Sequence, residues 1–219
     1  IVVGFGVDGY LVAMDGLVDS DGIAVSSLSA NGGSLKDAAG NSVVTTLNAV
    51  GATASILVDS TVPTVASVAV PGNGTYLAGG NLDFTVNFSE AVTVDTTGGT
   101  PRIAVDVGGT TKYATYLSGS GSTALVFRYA VDSGLTDSDG ITLGLLSANG
   151  GSLRDGVGNN ATLTLNSVGS TLGVKVDSAP PTVGNVTTAT ANGAYKAGDV
   201  IAVTVQFSEA VNVTGRSEE

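Results

Sequence analysis

The sequence repeats itself at long range. The stretch "LVDSDGIAVSSLSANGGSLKDAAGNSVV" from Leu17 returns as "LTDSDGITLGLLSANGGSLRDGVGNNAT" from Leu135, at an offset of 118 residues. Pairing residues 17–65 with 135–183 gives 29 identities among 49 positions. Further on, "NGTYLAGGNLDFTVNFSEAV" from Asn73 returns as "NGAYKAGDVIAVTVQFSEAV" from Asn192, at an offset of 119. That period is too long for a solenoid unit and has the size of a small independent domain. The chain therefore reads as a tandem array. Residues 1–58 hold the C-terminal part of a first module, 59–176 a complete module, and 177–219 the N-terminal part of a third.

Inside a module the periodicity is two. Leu82, Phe84, Val86 and Phe88 alternate with Asp83, Thr85, Asn87 and Ser89, and the copy alternates Ile201, Val203, Val205 and Phe207 with polar or small residues. This predicts a half-buried strand. Further strands are expected at Thr123–Val131, Ala161–Leu165 and Leu172–Val176, punctuated by "NGT", "GGT", "DSDG" and "NGG". Seven or more short strands per module, with turn signals every 8–12 residues, predict an all-β fold of tandem antiparallel β-sandwich modules of immunoglobulin-like type. The "VDS…P" segments are the expected linkers.

Composition narrows the chemistry. A net charge of −11 with 8 Lys and Arg argues against nucleic acid, whose phosphates need basic clusters. With no cysteine and no histidine, disulfides, thiolate metal sites and Ser-His or Cys-His nucleophiles are excluded. Any bound metal must be held by oxygen, which favours calcium. No apolar run approaches a membrane-spanning length, so no membrane insertion is expected. "IVVGFGVDG" at the start contains G-x-G-x-x-G, but the sequence after it is too short and broken for the helix a dinucleotide site requires. It reads as a degenerate strand and loop.

Glutamate is the informative residue. Besides Glu218 and Glu219 it occurs only at Glu90 and Glu209, the same place in "NFSEAVTV" and "QFSEAVNV", although aspartate occurs 15 times. Glu90 shares the parity of the buried residues Leu82–Phe88, and an unpaired carboxylate in a core is costly. The expectation is that Glu90 lies where the sheet opens at one pole, beside the linker residue Asp59, with Glu209 beside Asp177 in the next module. The "LRDGVGN" loop, with Asp155 and Asn159, adds a third acid source, matched by Asp37 and Asn41. Several carboxylates at one pole repel unless neutralised, and calcium takes six to eight oxygens. The "DSDG" turns, with Asp19 and Asp21 and with Asp137 and Asp139, are a second candidate. They lack the full ligand spacing of an EF-hand loop.

The string "Y-x-A-G…F-S-E-A-V-x-V", "L-x-D-x-x-G-N", "V-D-S-x-x-P-T-V" resembles the bacterial immunoglobulin-like repeats of large secreted and cell-surface adhesins. Tyr76, Ala78, Gly79 and Phe88–Val92 carry it, with Leu153, Asp155, Gly158 and Asn159, and Val176–Val183. The resemblance implies a non-enzymatic extender, secreted or on the bacterial surface, whose partners are neighbouring modules of the same array. It also implies calcium at poles and linkers. The third module departs from the pattern in "TGRSEE", where a "TGGTPRI"-like continuation is expected. Two other readings stand beside this one. In the first, head and tail half-modules of different copies complement one another in a self-assembling extracellular fibre. In the second, polar loops form a glycan- or protein-binding module, although the chain has no Trp and only 5% aromatic residues.

Overall fold

The computed structural model describes residues 16–25, 27–30 and 32–215. The "IVVGFGVDG" motif lies outside them. The described chain is all-β. The chain opens with β1 (Val18–Asp19) and β2 (Val58–Asp59), paired antiparallel with Val18 opposite Asp59. The central stretch contributes β3 (Val65–Ala69), β4 (Gly74–Tyr76), β5 (Asn81–Asp95), β6 (Arg102–Val107), β7 (Thr110–Ser118), β8 (Ser122–Ala130), β9 (Thr136–Asp137), β10 (Thr142–Ser147), β11 (Ser152–Arg154) and β12 (Val174–Asp177). A last hairpin is formed by β13 (Val183–Thr187) and β14 (Thr204–Phe207).

In the central stretch, one sheet of seven strands runs β10-β6-β7-β8-β5-β11, with β3 also on β5, all antiparallel. A second sheet runs β4-β12-β9, in which β4 and β12 are parallel. Leu82, Phe84, Val86 and Phe88 from β5, Ile103, Val105 and Val107 from β6, Leu125 and Phe127 from β8, and Val174 and Val176 from β12 share one core. The period-two alternation is what aims them there, because successive strand side chains point to opposite faces. Their neighbours on the outer face carry the polar pairs. Arg128 donates from both Nε and Nη2 to the Asp83 carboxylate directly across the strand pair, at 2.6 Å each.

Three expectations need correction. The strand through Leu82–Phe88 does not end near Phe88. It continues to Asp95, and Val92 is as buried as Phe84. Ala161–Leu165 is extended but not a regular strand. Its Leu163 and Leu165 pack against the core, while its backbone makes the isolated parallel bridge Thr162–Thr64, a bond from the Thr162 amide to the Pro63 carbonyl and one from the Ala161 amide to the Leu153 carbonyl. The Asn166 side chain replaces a ladder bond by donating to the Val65 carbonyl, and Ser167 takes a positive φ of 46°. In the copy of this strand expected through Ile201–Phe207, the ladder covers only Thr204–Phe207, and its apolar residues are exposed rather than half-buried.

Candidate functional site

β5 changes neighbours halfway along one edge. From Thr85 to Phe88 that edge is paired with β3, and from Thr93 to Asp95 with β11. On the other edge the register with β8 shifts between Asn87 and Val92. Glu90 sits in this gap, half-buried, on the face that holds Phe88 and Val92. The opening is therefore made by the neighbours of β5, which part there, while β5 itself runs on.

The same parting brings in two more acids. Upstream of β3 the chain passes through Asp59, the last residue of β2. Downstream of β11 it enters the loop that starts at Asp155. One carboxylate oxygen from each of Asp59, Glu90 and Asp155 lies within 4.8 Å of the others. Among the described residues no other group of three acids converges in this way.

The loop is built by its own sequence. Asp155 Oδ1 accepts from the amides of Val157, Gly158 and Asn159 at 2.7–2.9 Å, and Asn159 Nδ2 donates to its Oδ2 at 2.7 Å. An Asp at the first position of such a turn offers the backbone the bonds it would otherwise lack. The exposed copy closes in the same way: Asp37 Oδ1 accepts from Ala39 and Asn41, and Asn41 Nδ2 reaches Asp37 Oδ2 at 2.8 Å. Asn159 does more, since its Nδ2 also donates to the carbonyls of Asp59 and Thr61 at 3.0 and 3.2 Å. It clamps the loop onto the linker, so the atom it turns there is a donor and not a ligand.

Electrostatics divide the three acids. Burial pushes the Glu90 carboxyl above its ordinary range, and the facing charges of Asp59 and Asp155 push it further. Burial also raises Asp155, but the bonds from Asn159, Val157 and Gly158 outweigh it and hold that group below the usual carboxylate range. Asp155 is thus a fixed anion at the base of the cluster, and Glu90 is the member whose charge is opposed.

Asp59 is held on two sides. Its backbone pairs with Val18, and its side chain faces Glu90 and Asp155. The following Ser60 fastens the joint: its Oγ accepts from the Leu17 amide at 2.7 Å, and its own amide donates to the Leu17 carbonyl. Ser178 repeats this with Leu135 at 2.9 Å. Sequence reasoning passed over these serines, although their constant place in "VDS" marks them. Asp177 is half-buried and Glu209 exposed, and both line one open cleft with Pro181 and Val211.

The "DSDG" turns have a different task. Asp137 is buried, with Oδ1 accepting from Gly140 and Oδ2 from Gly108, at 2.7 and 2.8 Å. This ties the tip of the β6–β7 hairpin to the turn. Gly108 has a φ of 56°, and a Cβ there would collide with the Thr136 carbonyl. Asp19 likewise accepts from Gly22. Asp21 and Asp139 are exposed, and none of these four joins a third acid among the described residues.

No protein family's profile matches the chain, and comparison with curated proteins and with solved structures gives no match. No helix among the described residues is long and apolar enough to cross a membrane.

Proposed function

We propose that the chain is a non-enzymatic extender segment of a bacterial cell-surface adhesin, built of immunoglobulin-like sandwich modules and stiffened by calcium at their joints. One observation carries this reading. Asp59 belongs to the first module by its backbone and to the Glu90–Asp155 pair of the second by its side chain. An ion held there ties the two modules together. Calcium suits the site because every available donor is oxygen, and because calcium accepts irregular shells completed by carbonyls and water. Recurrence of each acid once per module fits a structural ligand better than an active site.

The test is thermal unfolding with millimolar calcium and with EDTA. An ion that binds only the folded form raises the melting temperature by mass action, with about 2.7 kcal/mol of stabilisation at a hundredfold excess over its dissociation constant. Glu90→Gln, which keeps the shape and removes the charge, is expected to abolish most of the shift. Identical curves in calcium and EDTA would reject the ion and leave an extender held by packing alone.

A further inference from the structure

One flank of the central stretch carries no charge. From Ser60 to Leu82, from Gly140 to Leu153 and from Gly156 to Val174 there is no Asp, Glu, Lys or Arg, in a chain whose net charge is −11. β3, β10 and the extended residues 161–168 come from these stretches. Between β10 and residues 161–168 lies an open groove of about 620 Å³, lined chiefly by Leu143, Leu145, Leu146, Leu163, Leu165 and Val168. Leu143, Leu163 and Leu165 pack against the same core as Phe84, so the groove is part of the folded module. β10 pairs with β6 alone, and among the described residues its other edge has no partner strand. A bulge between Leu143 and Leu146 interrupts the pairing with β6, and Leu145 there is 83% exposed. Such a bulge blunts the edge against open-ended ladder growth and at the same time turns a side chain outward. The repeat does not demand leucine at these places. Its other copy has Ser27 where the groove has Leu145, and Thr45 where it has Leu163.

We propose that the groove is closed by β10 of a second copy of this chain, laid antiparallel about a two-fold axis, with Leu145 of each copy in the groove of the other. Three observations select this occupant. Two copies of net charge −11 repel over most of their surface, and the uncharged flank is where they can approach. An extended strand fits a slot walled by one open strand edge and one extended segment. The ends of β10 are also unlike, with Asp106 opposite Thr142 and Arg102 opposite Ser147. Antiparallel pairing sets the Arg102 end of one copy beside the Asp106 end of the other, whereas a strand laid in the same direction would set like charges together. At three strand spacings, roughly 14 Å, this favours the orientation and adds little strength. The contact is isologous, so it uses both open edges at once and stops at two copies.

Sedimentation equilibrium of the whole chain in EDTA, from micromolar to near-millimolar concentration, tests this. The expected result is a monomer–dimer equilibrium with no larger species. Leu145→Ser installs the residue that the other copy already carries, and Leu117→Ser is the control, at a leucine on β7 that is 49% exposed. Both leucines lie at the surface, so equal melting temperatures check that each variant keeps the fold. Leu145→Ser removes two leucines from the contact at once and should raise the dissociation constant at least tenfold. Leu117→Ser should leave it within about twofold of the parent. The chain has no cysteine, so a single introduced thiol reports on the axis. Under mild oxidation Leu145→Cys should form a disulfide dimer in clear excess over Leu117→Cys. A chain that stays monomeric throughout overturns the proposal and leaves the groove to a different occupant. So does a dimer that Leu145→Ser fails to weaken, or equal disulfide yields at the two positions.

Discussion

Glu90 is held against its electrostatic preference, and the sign of the consequence can be worked out. Its folded-state pKa is raised, so its contribution to stability is full below the ordinary glutamate range and is lost as pH rises through the folded value. Asp83 beside Arg128 and Asp132 beside Lys112 have lowered values, so theirs is present above the ordinary aspartate range and lost in acid. In EDTA, Glu90→Gln is therefore expected to be more stable than the parent at neutral pH. The gap should shrink as pH falls into the glutamate range, as read by urea unfolding at a series of pH values. Calcium should reverse the order at neutral pH. Asn159 makes a different kind of contribution, because its amide nitrogen bonds the Asp59 and Thr61 carbonyls and the Asp155 carboxylate. Asn159→Ala should cost about 1–3 kcal/mol on denaturant unfolding, from several bonds of roughly 0.5–1.5 kcal/mol each.

At the scale of elements, the repeat supplies matched experiments within one chain. Phe88 and Phe207 occupy the same position in the two copies, 4% and 39% exposed. Phe88→Ala should cost about 3–5 kcal/mol, as a buried aromatic does, whereas Phe207→Ala should stay within about 0.5 kcal/mol in dilute solution. The same comparison shows what the sequence can convey. Alternation fixed the buried face of β5 correctly because it depends only on the geometry of an extended chain. In the expected strand Ala161–Leu165, Leu163 and Leu165 do pack on the core, yet alternation could not say whether their backbone finds a partner strand. Alternation describes side chains, and pairing depends on what lies beside them. The convergence of Glu90 with Asp59 was legible for a related reason, since parity put the carboxylate inward and the linker put Asp59 at the same pole. Its cause was not legible: β5 runs through, and β3 and β11 meet along its edge. The backbone-holding task of Asp137 was equally hidden, because its partner Gly108 is 29 residues away.

At the scale of the whole molecule, the proposed function makes the turn at Asp59 and Ser60 the place where a bound ion would restrain the residues before it against those after it. With spin labels on Lys36→Cys and Lys112→Cys, calcium is expected to narrow the distance distribution, and Asp59→Asn to leave it broad. The central module also has an unusual arrangement of entry and exit. The strand just after its entry runs parallel to the segment leading to its exit, with Thr64 beside Thr162 and Val68 beside Val168, and β4 runs parallel to β12. Tension applied through Asp59 and Asp177 pulls such partners in opposite directions along their length. Their hydrogen bonds are then loaded together in shear and do not open one at a time like a zipper, so a single-molecule pull between those two points is expected to meet high force before the strands part.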